Sequence, residues 1–542
     1  MSLQAVPLLS LDFLPERTIE IVVSPAPITS DAGLLLIRQF DEQIGLTAQF
    51  AAAIDDTRDP RFIEHSMVTM VRQRIYGILA DYVDQNDHDT LRSDPVFKMI
   101  ADRLPTGPDL ASQPTLSRFE NAVTAYDLWR LRDAFVDQFI ASFATPPKHL
   151  TFDLDAFDDP AHGQQQMVMF HGYYDQYQYL PIAVSCAEVD QVVLVGLRFG
   201  TCHAALGADN DLRYLVNRLR AVWPDVHITV RGDCGFGVPR LFAVCEELQI
   251  TYTFGIGMNP RLQRLSADLL ARATKQYEQT SQFQRLFDSF VYQAEDWPEP
   301  RSIIIKAEVG AQGANRRAVV SNRPGCAIMP GAIYDEYVMR GESENRHKEL
   351  KTELQADRLS DHRFLANFAR LYLHAAALNL LVRLRRLVAE PLPSATEAGP
   401  SAELPVAALP EPSAPTASNA TAESALPKQP SPTATVAAAE STLPKQPSPK
   451  SPSKNAATTL PPEALPEPDR KRFFNQRRRR DPLGEGFAST WRTRLIKVAA
   501  EVITSARRVV VRLSASWPYL DHFLAVRRAV NGLSLEPEPS SG

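Results

Sequence analysis

The chain has 542 residues, of which 44% are hydrophobic and 23% are charged, a composition typical of a soluble globular protein. At about 150 residues per domain, this length predicts three or four domains, or one large core with appended segments. Five cysteines without a Cys-x-x-Cys pair exclude a disulfide scaffold and a zinc ribbon, and they favour a reducing compartment. The apolar stretch near the N-terminus lacks a preceding basic segment, so a signal peptide is not expected.

The net charge of −6 is unevenly distributed along the chain. Residues 470–528 contain fifteen Lys or Arg and four Asp or Glu, a surplus of +11, so the rest of the chain carries −17. A basic cluster at Lys471–Arg480 opens this segment. Such a cluster suits a polyanion because each phosphate contact releases condensed counterions. Taken alone, the cluster fits a solvated Arg-rich linker equally well.

Helical patterns dominate the first part of the chain, residues 1–147. Ser30 and Asp31 offer cap residues before an amphipathic run. The predicted helices are near 33–46, 62–84, 95–103 and 115–142.

The pattern changes after residue 148 to strands that alternate with helices. A mixed α/β sheet is the fold class that this order predicts. The predicted strands are 149–157, 167–174, 178–188, 191–200, 226–233 and 250–257, with further strands within 282–322. The predicted helices are 208–223, 238–248, 335–356 and 362–387. The most apolar helical run, 371–382, is shorter than the roughly 20 residues that a membrane helix needs, so we expect a buried helix of a soluble protein here.

Residues 389–469 have low complexity. They hold 18 of the 42 prolines and no Phe, Trp or Tyr, so they cannot bury enough apolar area to offset the entropy of ordering. We predict a disordered Pro/Ala/Ser-rich linker here. It separates a body, 1–388, from a basic helical tail, 470–542.

Four carboxylates stand out within the α/β region. Asp153 and Asp155 are two apart on one strand and therefore share a face. Asp233 follows another strand, at the end where α/β sheets collect their sites, and Glu344 lies on a later helix. Their hard oxygen atoms suit two Mg²⁺ or Mn²⁺ ions, which could promote phosphodiester cleavage. By spacing alone, turn and cap roles for these residues remain the commoner interpretation.

The predicted helix 335–356 carries a second pattern. Tyr337, Arg340, Glu344 and Lys351 lie at i, i+3, i+7 and i+14, within about 60° of arc at 100° per residue. One helix face would present a carboxylate beside two cations and a phenol, which suits a phosphate-binding metal site. A salt-bridged solvent face is the alternative, because Arg340 and Glu344 are also an i,i+4 pair.

At these residues the sequence resembles insertion-sequence transposases of the DDE group 1 type. Their superfamily signature Y-x2-R-x3-E-x6-K is reproduced from Tyr337 to Lys351, and RGDCGFG resembles the block around the second aspartate. FDLDAFDDPAHGQQQ with HGYYDQY resembles the block around the first aspartate. Further similar blocks occupy 28–42, 86–95, 110–121 and 494–519.

The resemblance implies an RNase H-like catalytic core at 148–388, with a β-rich insertion at about 250–325. A helical DNA-binding and dimerisation region would precede it at 1–147. Asp155, Asp233 and Glu344 would be the catalytic triad and would hold two Mg²⁺ or Mn²⁺ ions.

The resemblance also implies that Tyr337, Arg340 and Lys351 contact DNA near the scissile phosphate. The expected function is metal-dependent cleavage at terminal inverted repeats, followed by transfer of the 3′-OH into target DNA. The expected partners are double-stranded DNA and a second copy of the chain, with no membrane. The expected location is the bacterial cytoplasm, on the nucleoid when DNA is bound.

Two departures from the family pattern leave alternatives open. Phe157 stands where the family usually has Thr, which bears on the choice between Asp155 and Asp153 as first ligand. The Pro-rich stretch resembles an insertion and bears on whether the tail docks. The alternatives are a catalytically inactive DNA-binding protein derived from a transposase, and a metal-dependent nuclease without strand transfer.

Overall fold

A computed structural model describes residues 7–11, 13, 17–23, 26–389 and 486–533. All of these residues belong to one compact unit. The linker predicted at 389–469, apart from Ala389, and the basic cluster Lys471–Arg480 lie outside the described residues.

Helices form most of the first 147 residues, as predicted. They follow three short strands, of which β1 and β2 pair as a hairpin that the sequence did not predict. The strands are β1 Pro7–Leu11, β2 Ile19–Val22 and β3 Ile28–Thr29, and the helices are α1 Leu34–Ile44, α2 Leu46–Ala52, α3 Met67–Leu79, α4 His88–Leu91, α5 Pro95–Ile100, α6 Gln113–Ala122 and α7 Ala125–Ile140.

The single helix predicted at 115–142 is wrong, because the structure divides it into α6 and α7. Val123 is extended between them, and the side chain of Thr124 accepts a hydrogen bond from the Asp127 N–H. The Asp127 carboxylate accepts the Thr124 N–H in return. This capping box starts a new helix where the pattern alone suggested continuity.

The α/β region contains the large sheet and the helices around it. Its strands are β4 His149–Ala156, β5 Asp159–Pro160, β6 Met169–His171, β7 Gln176–Tyr179, β8 Ile182–Cys186, β9 Val192–Gly196, β10 His227–Gly232, β11 Thr251–Ile256, β12 Gln284–Tyr292, β13 Arg301–Gly310 and β14 Gly313–Ser321. Its helices are α8 Ala208–Val222, α9 Pro239–Glu247, α10 Pro260–Leu265, α11 Ala267–Thr280, α12 Pro330–Val338, α13 Gly341–Lys348 and α14 Phe364–Ala389.

Eight strands form one mixed sheet in the order β12-β13-β14-β11-β10-β4-β8-β9. The neighbours β4, β10 and β11 are parallel, whereas β8 is antiparallel to both β4 and β9. The strands β12 to β14 lie between β11 and α12 in the chain and extend the same sheet by antiparallel pairing. The mixed α/β class is confirmed, and α10 and α11 are helices that the sequence analysis missed.

Alternation along β4 separates a packed face from a polar face. Leu150, Phe152 and Leu154 are buried in a core formed with α7, α8 and α9. The intervening Asp153 and Asp155 therefore project from the opposite face, on which α12 and α13 contact the sheet. Asp153 and Asp155 thus both lie on the face of the sheet that α12 and α13 cover.

Helix α14 is the central helix of the other core and is almost entirely buried. Among the described residues it alone is long and apolar enough to cross a membrane, and 89% of its most apolar window is buried inside the protein. The prediction of a buried helix here is confirmed.

The described part of the tail is not wholly helical, so that prediction is wrong. It consists of α15 Ala488–Trp491, a π-helical turn Arg492–Ile496, strands β15 Ala500–Thr504 and β16 Val509–Leu513, and α16 Leu520–Gly532. Strand β15 pairs with both β16 and β3, which completes a small sheet. Its β-branched Val and Ile residues suit that pairing.

Candidate active site

Two of the predicted carboxylates lie at the carboxyl ends of neighbouring parallel strands. The register pairs Leu154 of β4 with Gly232 of β10, so Asp155 and Asp233 come one position further along each strand. Both side chains are partly buried. The Asp233 carboxylate accepts a hydrogen bond of 2.8 Å from the Gly235 N–H, which fixes its orientation in the turn after β10.

Asp153 forms a buried ion pair with Arg231. Its two carboxylate oxygens each accept a 2.7 Å hydrogen bond from the guanidinium of Arg231. Arg231 also donates to the carbonyl oxygen of Glu336, at 2.6 Å. Both residues are buried, so this bidentate pair joins β4, β10 and α12. Asp155 is the more exposed of the two aspartates, with 19% of its side chain accessible against 2% for Asp153.

A histidine and an arginine face the Asp155 carboxylate. His347 Nδ1 donates to Asp155 Oδ2 at 2.8 Å, and Arg340 Nη1 lies 3.7 Å from the same oxygen. Burial alone would raise the pKa of Asp155, but the hydrogen bond from His347 and the charges of His347 and Arg340 lower it. Burial raises the pKa of Asp233, and the nearby charge of Asp155 acts in the same direction. The two carboxylates therefore share one electrostatic environment.

Glu344 does not contact Asp155 or Asp233 directly in the described contacts, but it pairs with Arg340, which also faces Asp155. Arg340 Nη2 lies 3.3 Å from Glu344 Oε1, while its Nη1 faces Asp155. The Glu344 side chain is 63% exposed, so it lies at the solvent side of the cluster. One guanidinium thus lies between two of the three predicted catalytic carboxylates.

The single helix predicted at 335–356 is wrong. Tight i→i+3 hydrogen bonds, Arg340 N–H to Tyr337 O and Ser343 N–H to Arg340 O, separate α12 from α13. A π-helical turn, Glu349–Glu353, then widens the chain after α13. The four signature residues consequently do not form one regular helix face.

The structure nevertheless keeps the remaining signature residues near the cluster. The hydroxyl of Tyr337 approaches Gly255 of β11 beside the turn that carries Asp233. Burial raises the pKa of Tyr337, and the charge of Arg340 opposes that rise. Lys351 forms an ion pair with Asp158, which follows β4 and also accepts a 3.1 Å hydrogen bond from Gln176.

Three side chains of this site were missed by sequence reasoning: Arg231, His347 and Asp158. His347 lies three residues after Glu344, a spacing that places both on neighbouring turns of a helix. That spacing was the available signal. In the part of the chain that the structure describes, no three His, Cys, Asp or Glu side chains lie close enough together to hold a metal ion.

The fold and site define an α/β protein whose acidic side chains gather at the carboxyl edge of parallel strands. The family model of the transposase DDE domain group 1 matches residues 12–397. The match covers more than half of the chain, so the chain belongs to this family of DDE transposases, enzymes that act on DNA and use divalent metals. No curated protein shows significant sequence similarity to it.

Gly255 lets β11 approach the turn that carries Asp233. A Cβ at this position would lie 2.9 Å from both Cys234 N and Tyr337 Oη. We expect Gly255→Ala to displace that turn and to lower the single-turnover rate of DNA cleavage by about 10- to 100-fold, because small misplacements of reacting groups are costly.

Gly257→Ala is the matched control for this substitution. Gly257 lies two residues further on, and a Cβ there would meet nothing within 4 Å. Its cleavage rate should equal that of the unmodified protein. Equal rates for the two variants would show that the close approach at Gly255 does not govern the position of Asp233.

Proposed function

We propose that this protein is the transposase of an insertion sequence. It would cleave DNA at terminal inverted repeats and transfer the freed 3′-OH into target DNA. The observation that carries the proposal is the placement of Asp155 and Asp233 on adjacent parallel strand ends, with Arg340 between Asp155 and Glu344.

The proposed catalytic core is RNase H-like. The strand order β9-β8-β4-β10-β11, with β8 antiparallel to its neighbours and the last three strands parallel, supports this assignment. Such a core begins with three antiparallel strands and continues with two parallel ones. The three strands β12 to β14 would be its β-rich insertion.

The carboxylate chemistry fits a divalent cation such as Mg²⁺ or Mn²⁺, which prefers hard oxygen ligands. The like charges of Asp155 and Asp233 disfavour each other, so a cation between them would be stabilising. Arg340 Nη1, buried without a hydrogen-bond partner and 3.7 Å from Asp155, is a donor that a phosphate oxygen could satisfy. We assign Asp155, Asp233 and Glu344 as the residues that would hold two ions. When bound, such ions activate water and stabilise the leaving oxygen of a phosphodiester.

The other side chains bind and orient the DNA. Arg340 and Lys351 would hold phosphate oxygens near the scissile bond, and the Tyr337 hydroxyl would donate a hydrogen bond there. Because Lys351 is paired with Asp158 and Arg340 with Asp155, DNA binding would exchange these internal ion pairs for phosphate contacts. The same exchange would free Glu344 from Arg340 to approach Asp155 and Asp233.

Two DNA ends must be joined in transposition, so we propose a homodimer in the synaptic complex. The helical region before β4 would bind the terminal repeats. A cytoplasmic location follows from the proposed substrate and from the five free cysteines.

The test is cleavage of a labelled duplex that carries the element's own terminal repeat. The protein and its Glu344→Gln variant would be assayed with Mg²⁺, with Mn²⁺ and with chelator. We expect metal-dependent breaks at the repeat boundary that the variant does not produce, together with unchanged end binding. Glu278→Gln, an exposed glutamate on α11, is the matched control and should cleave normally.

The other functions give different results in the same assay. Binding without cleavage in either metal would identify a catalytically inactive DNA-binding protein. Cleavage without joined products would identify a nuclease that lacks strand transfer.

A further inference from the structure

We infer that the tail segment Gly486–Ile496 positions the catalytic helix α13 by holding the π-helical turn that follows it. Glu353 and Arg492 are the positioning residues of this contact, which we call the tail clamp. The inference rests on the proposed function for its activity readout. It assigns a role in catalysis to a segment that lies beyond the matched residues 12–397.

The π-helical turn Glu349–Glu353 links two functional side chains. Glu344 lies one turn before it on α13, and Lys351 lies within it. The turn closes through the Leu354 N–H and the Glu349 carbonyl oxygen, at 2.9 Å. Such turns are rare, occur mostly as single turns inside α-helices and are frequent at functional sites. The position of this turn therefore sets where both side chains lie relative to Asp155 and Asp158.

The tail contacts the far end of this turn directly. The Ser489 N–H donates to Glu353 Oε2 at 3.3 Å, and Arg492 Nη2 donates to the Glu353 carbonyl oxygen at 2.9 Å. Arg492 Nε donates to the Leu79 carbonyl oxygen at 3.0 Å, and its Nη1 lies 3.2 Å from Asp81. One buried guanidinium thus ties the π-helical turn to the end of α3.

The tail also contacts the near end of the turn. Glu349 is fully buried and pairs with Arg346 and with Arg385 of α14. Arg385 donates to the Gly486 carbonyl oxygen as well. The Lys348 ammonium lies 5.5 Å from the centre of the Phe487 ring, within cation–π range. The tail therefore contacts the far end of the turn at Glu353 and reaches its near end through Arg385 and Lys348.

The experiment uses the full-length protein with Glu353→Ala, Glu353→Gln and Arg492→Ala. Glu353→Ala and Arg492→Ala should lower the single-turnover cleavage rate of a pre-bound terminal repeat by at least ~10-fold, because catalytic groups tolerate little misplacement. Their Kd for the same DNA, measured in chelator, should stay within about 2-fold of the unmodified protein. Glu353→Gln keeps an acceptor for the Ser489 N–H and should restore most of the rate.

Arg213→Ala is the matched control for the arginine substitution. Arg213 forms an exposed ion pair with Glu247 between α8 and α9, away from the tail clamp. This variant should cleave and bind as the unmodified protein does.

Hydrogen–deuterium exchange provides a readout that does not depend on activity. In Glu353→Ala and Arg492→Ala, amides of 341–353 should exchange at least ~10-fold faster, while those of β4 and β10 keep their protection. An unchanged cleavage rate with unchanged exchange would overturn the inference. So would a general rise in exchange across the molecule, since that would reveal only lost stability.

A failure of the proposed function gives a separate result. If the unmodified protein cleaves no terminal repeat in Mg²⁺ or Mn²⁺, the transposase proposal fails. The exchange data then decide whether the tail clamp holds α13, and faster exchange confined to 341–353 would still support it.

Discussion

Replacing Asp155 by asparagine is expected to abolish DNA cleavage while the protein stays folded and binds DNA ends. The substitution removes a charge that lies beside Asp233 and faces Arg340. Losing one such electrostatic contact in the transition state costs about 4 kcal/mol, which corresponds to roughly 10³-fold in rate. Single-turnover cleavage, end binding and thermal unfolding would be measured on the same preparation.

Asp153→Asn is the informative comparison, because the two aspartates share a strand face but differ in partners. Asp153 is buried against Arg231, and breaking a buried ion pair destabilises by about 3–5 kcal/mol. We therefore expect this variant to lose stability, and to cleave DNA at temperatures at which it is still folded. The reverse pattern, an inactive but stable Asp153→Asn beside an active Asp155→Asn, would make Asp153 the catalytic residue.

Glu120→Gln is expected to cause the largest loss of stability. Glu120 of α6 is fully buried between Arg74 of α3, at 2.6 Å, and Arg370 of α14, and it also accepts a hydrogen bond from Gln85. A neutral side chain would leave two buried guanidiniums without a counter-charge, at a cost of about 3–5 kcal/mol in the free energy of unfolding. Urea denaturation measures this difference.

Glu247→Gln is the control, since it breaks a carboxylate–arginine pair of the same chemistry on the surface. Its partner Arg213 and Glu247 itself are both exposed, so no measurable change in unfolding is expected. A loss of stability in Glu120→Gln no greater than that in Glu247→Gln would show that the buried pairs do not hold α3, α6 and α14 together.

The stabilisation by Glu120 should depend on pH. Burial alone would raise the pKa of Glu120, but the charges of Arg370 and Arg74 outweigh burial and lower it in the folded protein. The unfolded chain therefore takes up the proton first as the pH falls. The contribution is complete above the ordinary glutamate pKa, roughly 4.3, and is lost as the pH drops below that value. The difference in unfolding free energy between the unmodified protein and Glu120→Gln should therefore shrink as the pH falls below about 4.3.

Much of the sheet could be predicted because its strands carry strong local patterns. The run around β4 alternates apolar and polar residues, and β10 and β11 are short apolar runs that end in turn residues. The predicted strand 178–188 is instead two strands, β7 and β8, separated by Leu180 and Pro181. Proline removes a backbone donor and interrupts pairing there. Strand order, by contrast, depends on long-range contacts that no local pattern records.

The candidate site was predictable in its residue types but not in its pairing. Spacing placed Asp153 and Asp155 on one face, yet only the position of Arg231 on the neighbouring strand distinguishes their roles. Likewise, helical periodicity brought Arg340 and Glu344 together but did not anticipate the breaks on either side of α13. The turn after α13 contacts Ser489 and Arg492, which lie more than a hundred positions further along the chain and which no local pattern connects to it.

The pairing of β3 with β15 has a consequence for how the protein matures on the ribosome. Ala32 and Gly33 donate backbone hydrogen bonds to Val498 and Ile496, and a Cβ on Gly33 would lie only 1.7 Å from the Leu495 carbonyl oxygen. At about 5–20 residues per second, translation needs tens of seconds to supply these partners. During that interval β3 of the nascent chain lacks its pairing partner β15. The enzyme acquires its complete architecture only after residues 486–533 have been synthesised and have emerged from the ribosome.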